Sequence, residues 1–145
     1  MVEQDVIEPS KSPWASPVVL IPKKDGSTRF CIDFRKVNRI TKKYSYTLPF
    51  FIQELLDTLG GSQWFCTIDL KSGYWQIALK EEDREKTAFS LYRKGLWQFK
   101  VMPFGLTNAP ATFQRLMEAV RCFQRANLQI NPKKCSFFEK QTAYL

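Results

Sequence analysis

One aspartate stands out as a candidate for chemistry. In "WFCTIDLKSGYWQI" (residues 64–77), Asp69 follows Phe65, Cys66 and Ile68, and a Gly73-Tyr74 pair comes four residues later. A carboxylate at a strand end, beside a tight glycine turn, can present oxygens to a hard cation such as Mg²⁺. It can also cap the turn backbone, and spacing alone favours that plainer role. "FCIDF" around Asp33 repeats the pattern, so two aspartates could pair on a metal. Arg35 and Lys36 follow Asp33 at once, however, and point to a salt bridge there.

Cations come next. Lys23, Lys24 and Arg29 flank a hairpin tip, where they could clamp a phosphate group or simply protect an exposed hairpin. Tyr74 and Trp75 could stack on a base or sugar or fill a core. The 145 residues include no histidine, which excludes His-based triads and imidazole acid–base chemistry and leaves carboxylates and lysines. Cys31, Cys66, Cys122 and Cys135 form no C-x-x-C pair, so zinc is not expected. Their apolar neighbours read as a reduced core of an intracellular protein.

The elements that must position these residues follow from pattern. An extended lead-in rich in Pro and Ser precedes "VVLIPKKDGSTRFCIDF", a β-hairpin turning at Asp25-Gly26, with Pro22 marking an edge strand. In "LPFFIQELLDTLGG", Ile52, Leu55, Leu56 and Leu59 keep a helical spacing that ends at Gly60-Gly61. The Asp69 segment and "YWQIAL" read as strands. "EEDREK" reads as a charged turn or short helix, and "TAFSLYRKGLWQFKV" as a second hairpin. "MPFGLTNAPATFQRLMEAV" leads into a helix with Pro110 in its first turn, predicted to continue to about Asn127. "LQINPKKCSFF" reads as strand, turn, strand. Helices and strands mix without strict alternation, an α+β class.

The net charge is +8, with 22 basic and 14 acidic residues, and residues 71–145 carry +7 of it. This excess permits a polyanionic partner without requiring one. No apolar run reaches membrane-spanning length and no secretory signal is seen, so an intracellular place, in cytoplasm or nucleus, is expected.

Five collinear blocks, "SPWASPVVLIPKKDGSTRFCIDFRKVN", "FCTIDLKSGYWQIAL", "REKTAFS", "MPFGLTNAPATFQRLM" and "ANLQINPKKCSFF", resemble the reverse transcriptase of gypsy-type long-terminal-repeat retrotransposons. The resemblance covers nearly the whole chain. It implies a fingers-and-palm fold: fingers at 1–43 and 77–108, palm at 44–76 and 109–145. It implies RNA-directed DNA polymerase activity for the family, with two Mg²⁺ ions, a template–primer and dNTP.

Residue by residue, the resemblance makes Lys23 and Arg29 the fingers residues that grip the triphosphate, with Lys24 as the alternative lysine. Asp69 becomes the first catalytic aspartate and metal ligand. Tyr74 becomes the gate that excludes a ribose 2′-hydroxyl. Phe104 and Gly105 line the nucleotide pocket, and Gln114 lies on the template-side helix. Lys133 and Lys134 are alternatives for the lysine proposed to protonate departing pyrophosphate.

The family's Tyr-x-Asp-Asp hairpin is missing. The chain holds no Asp-Asp pair, and Val120 joins directly to Arg121 where the family has several dozen further residues. The chain also stops just before a thumb would begin. Genuine decay and a gene model spliced around the hairpin would both produce the 120–121 junction. Asp69 alone is expected to hold at most one weakly bound hydrated Mg²⁺. The Asp69 strand is expected to lose ladder partners and expose an apolar edge. The expectation is a truncated, internally deleted reverse transcriptase that does not extend a primer; the alternative is a non-catalytic nucleic-acid-binding module derived from a retroelement.

Overall fold

A computed structural model describes residues 1–23, 26–44, 57, 59–119 and 126–141. The Asp-Gly turn signal does form a hairpin. Strand β2 (Val18–Pro22) pairs antiparallel with β3 (Thr28–Ile32), in register from Val18↔Ile32 to Pro22↔Thr28. Gly26 takes a left-handed φ of 78°, which glycine adopts without steric cost. The Lys23 N–H donates to the Ser27 carbonyl at 2.7 Å and closes the loop.

The second expected hairpin is also present, as β5 (Phe89–Leu91) and β6 (Gly95–Phe99). The lead-in is more ordered than a mere extended segment. Ile7–Pro9 forms β1, which pairs antiparallel with β6 and gives a three-stranded sheet in the order β1-β6-β5. Helix α1 (Arg35–Ile40) adds Val37 to a core of Val6, Ile7, Phe34, Phe89 and Phe99. The rings of Phe89 and Phe99 lie 5.3 Å apart. Ahead of α1, Asp33 accepts hydrogen bonds from the Arg35 guanidinium, the shortest 2.6 Å, as the adjacent charges suggested.

Strand β4 (Phe65–Thr67) pairs antiparallel with β7 (Ser136–Glu139), with an irregular register between Phe65↔Glu139 and Thr67↔Ser136. "EEDREK" becomes a short helix, α2 (Glu81–Arg84), running into a 3-10 turn at Glu85–Thr87. Helix α3 (Ala109–Ala119) carries Pro110 in its first turn.

Three expectations need correction. "YWQIAL" is not a strand: Ser72 turns left-handed at φ 49° and Gly73–Gln76 coil into a 3-10 turn, leaving one bridge, Ala78↔Val101. Aromatic packing of Tyr74 outweighs its β-propensity here. Beyond Ala119 the course of the helix from Ala109 lies outside the described residues, and residues 126–127 form a turn with Asn127 at φ 54°. The strand expected at "LQI" reduces to a single bridge, Leu70↔Ile130. Cys66 is exposed and so is no core residue, while Cys31 and Cys135 are half-buried and free. The helix expected at residues 48–61 lies mostly outside the described residues, as do Lys24, Cys122 and the 120–121 junction.

Candidate functional site

Asp69 lies two residues beyond β4, on a segment held by its neighbour in space. The Asn131 N–H donates to the Asp69 carbonyl (2.8 Å) and the Lys71 N–H to the Gln129 carbonyl (3.0 Å), on either side of the Leu70↔Ile130 bridge. Gln76 locks the pair: its Nε2 donates to the Lys71 and Gln129 carbonyls, and its Oε1 accepts from the Gln129 N–H at 2.7 Å. The Asp69 N–H donates to Cys135 Sγ at 3.4 Å. The backbone of Asp69 is thereby fixed, and its carboxylate stays half-exposed.

The next turn supplies aromatics. The Tyr74 ring lies 4.9 Å from Phe104 and 5.3 Å from Phe113, edge-on to the latter. Gly73 allows a close approach, since a Cβ there would meet the Phe113 ring at 3.1 Å. Ile68, Asp69, Leu70, Gly73, Tyr74, Phe104, Phe113 and Met117 line a cavity of about 360 Å³. Arg29, Phe104 and Gly105 meet around a second, largely apolar cavity of about 620 Å³, with Phe30, Phe34, Trp75 and Phe99. Phe104 thus borders both. Its loop is clamped by Asn38, whose Nδ2 donates to the Gly105 carbonyl (2.8 Å) and whose Oδ1 accepts from the Thr107 N–H (2.9 Å).

The structure therefore brings Asp69, Tyr74 and Phe104 together, and Arg29 with Phe104 and Gly105. It separates others. Lys23 is exposed on the hairpin and lines neither cavity. Gln114 lines neither and donates to Glu118 within α3 at 3.1 Å. Of the two lysines in the 3-10 turn Pro132–Lys134, Lys134 reaches Asp69, its Nζ 3.9 Å from Oδ2. Lys133 is exposed on the same turn. Sequence reasoning missed Gln76 and Asn38, which hold the site without lining it, and Phe113, which lines the Asp69 cavity. Only the amide side chains in otherwise apolar or turn segments hinted at the first two.

Electrostatic perturbation falls elsewhere. Hydrogen bonds from Arg35, chiefly from its side chain, lower the Asp33 carboxyl to about 2, and the same partner raises Arg35. Asp33 is thus a structural ion pair, not half of a metal site. Lys86 is raised by its hydrogen bond to Asp83.

A mixed α+β fold with small antiparallel sheets, an aspartate beside an aromatic-walled cavity, and a neighbouring arginine-bordered cavity define a class. It is the fingers-and-palm architecture of reverse transcriptases. Residues 21–122 match the model of the family "Reverse transcriptase (RNA-dependent DNA polymerase)", and the chain belongs to that family. It is 45% and 43% identical, over 125 and 126 residues, to the retrovirus-related Pol polyproteins of transposons 297 and gypsy of Drosophila melanogaster. Each match covers 83% of this chain and 12% of the relative. Against that of transposon opus from the same fly it is 33% identical over 184 residues, covering all of this chain and 18% of the relative. The chain spans less than a fifth of the length of these curated relatives. Its fold matches a foamy viral protease-reverse transcriptase in complex with dsDNA at a TM-score of 0.81 and 20% identity, over 99% of this chain and 37% of that one.

The family implies magnesium. A pair of divalent ions needs several carboxylates to offset their mutual repulsion. Among the described residues no group of three His, Cys, Asp or Glu side chains could hold a metal ion. Among the described residues the Asp69 carboxylate pairs with the Lys134 ammonium, 3.9 Å away. The described residues do not fit a magnesium centre.

Proposed function

We propose that this chain is the reverse transcriptase domain of a gypsy-type retrotransposon that binds template–primer nucleic acid but lacks a complete catalytic centre. The observation that carries this reading is Asp69, framed by Tyr74 and Phe104 as a polymerase site would need, yet facing Lys134 instead of further carboxylates. Its alignment with the opus polyprotein runs 184 positions against 145 residues, so at least 39 positions of that relative have no counterpart here. The family match ends at residue 122, beside the 120–121 junction. Both support an internal deletion that removed the Tyr-x-Asp-Asp hairpin.

In this reading residues 1–43 and 77–108 are fingers, and 44–76 and 109–145 are palm. Strand pairing supports the division, because β1 joins β6 and β5 within the first set and β4 joins β7 within the second. Lys23, with Lys24 as the alternative, and Arg29 contact phosphate. Tyr74, Phe104 and Gly105 border the nucleotide, and Gln114 faces the template. The basic second half attracts the backbone of RNA or DNA, and the chain acts inside the cell. Among the described residues no helix is long and apolar enough to cross a membrane.

Two measurements test this. Fluorescence anisotropy with a labelled primer–template should show binding that weakens steeply as salt rises; no binding at low ionic strength rejects it. Primer extension should yield no product. Mg²⁺-dependent incorporation of dNTP, lost in Asp69→Asn, would falsify the incomplete site. An open reading frame containing Tyr-x-Asp-Asp between the codons for Val120 and Arg121 would restore the enzyme.

A further inference from the structure

Among the described residues the cation paired with Asp69 is Lys134. The turn that carries Lys134 is tied to the aspartate's own backbone. The Asn131 N–H donates to the Asp69 carbonyl, the Lys134 N–H donates to the Asn131 carbonyl at 3.0 Å, and Cys135 Sγ accepts the Asp69 N–H. Cys135 Sγ also donates to the Asn131 carbonyl at 3.1 Å, which fixes the turn from its other end. These bonds deliver Lys134 Nζ to 3.9 Å from Asp69 Oδ2 without using either side chain as a structural strut.

We propose that Lys134 is the standing counter-cation of Asp69 in this chain and keeps the carboxylate from taking a divalent metal. This rests on the incomplete-site reading above and names what occupies the place that a metal would need. A single carboxylate gives a hard dication too few oxygen ligands to displace its water. An ammonium beside the same oxygens adds repulsion, and among the described residues no cluster of carboxylates offsets it. The pair is half-exposed, 41% at the Asp69 side chain and 67% at Lys134. Neutralising the lysine therefore removes a charge without opening a core.

A double-mutant cycle read by terbium(III) luminescence tests this on the whole chain. Terbium(III) is a hard oxygen-seeking ion, and one bound at Asp69 would be excited through Tyr74, which lines the same cavity. With Lys134 present, Asp69→Asn should change terbium affinity by no more than about twofold, the margin expected of independent sites. Lys134→Met should tighten binding by at least roughly fivefold, the factor for releasing the carboxylate from one pair of unit charges near 4 Å in water. Adding Asp69→Asn to Lys134→Met should abolish that gain. Lys134→Gln serves as a second neutral variant, and circular dichroism verifies the fold of each.

The proposal is overturned if Asp69→Asn weakens terbium binding equally with and without Lys134. It is also overturned if neither neutral variant gains affinity. No nucleic acid enters this experiment, so its failure leaves template–primer binding standing, and a failure of the anisotropy test leaves the ion pair standing.

Discussion

Two of the three sheets among the described residues, β1-β6-β5 and β4-β7, are built from similar apolar material and bury it very differently. Around β1-β6-β5, Phe89 is fully buried, Phe99 nearly so, and Phe34 just ahead of α1 and Val37 within it close the core. Around β4-β7, Trp64, Ile68, Ile130, Phe137 and Phe138 are all exposed, and every residue of β7 faces solvent. Hydrophobicity alone does not make a core; a sheet face must be covered by another layer. The first region has its cover within the described residues. The second leaves its apolar side chains exposed among the described residues.

The sharpest way to break this contrast is to truncate one phenylalanine in each region. Phe89→Ala should cost about 3–5 kcal/mol, the loss typical of a fully buried ring, as measured by urea unfolding. Phe138 lies in β7 at a left-handed φ of 57° with 75% of its surface exposed. Phe138→Gly should therefore be neutral or stabilise by up to about 1 kcal/mol, because a bulky residue is disfavoured at that φ and glycine is not. A loss above about 2 kcal/mol, on the scale of core truncations, would show that the second region has a hidden core.

Between these extremes lies the loop that joins the two cavities. Asn38→Ala removes both side-chain bonds to Gly105 and Thr107 and should cost about 2 kcal/mol, at roughly 1 per hydrogen bond. It should also broaden the Phe104 ring resonances in NMR spectra, since that loop borders both cavities. Gly73→Ala forces the Phe113 ring to yield by a few tenths of an ångström and should cost about 1 kcal/mol. Displaced ring-current shifts at Tyr74 would report the same movement.

The smallest effect concerns pH. Asp33 is held down to about 2 from its ordinary 3.8 by Arg35. Its folded value is lower than its unfolded one, so the stability it contributes is present above pH 3.8 and is lost as pH falls through about 2. In Arg35→Ala the carboxyl should titrate above about 2, part of the way back toward 3.8, by carbon-13 NMR, because the residue-35 N–H still donates to it. Titration unchanged at about 2 would mean that backbone contacts, not the guanidinium, hold the charge.

Local signals in the chain were enough for both hairpins, because Asp25-Gly26 and Lys94-Gly95 supply turn chemistry that needs no distant partner. They were enough for the Asp33–Arg35 pair, whose members are two residues apart, and for the start of α3 at Pro110. They failed at Tyr74–Gln76. A strand-like pattern there became a turn, because its outcome depends on rings brought from Phe104 and Phe113 and on Gln129 brought from the far end of the chain.

The sequence by itself determined the family, through five motifs in order, and the absence of any Asp-Asp pair. It also marked Asp69 as the residue whose isolation matters. Only the tertiary structure decided what that aspartate meets. Lys134 is 65 residues away along the chain, yet it lies beside the carboxylate because the 129–131 segment bridges the 69–71 segment. Pairing across such a separation depends on which strands find cover, a property of the whole packed chain that no local stretch of residues encodes.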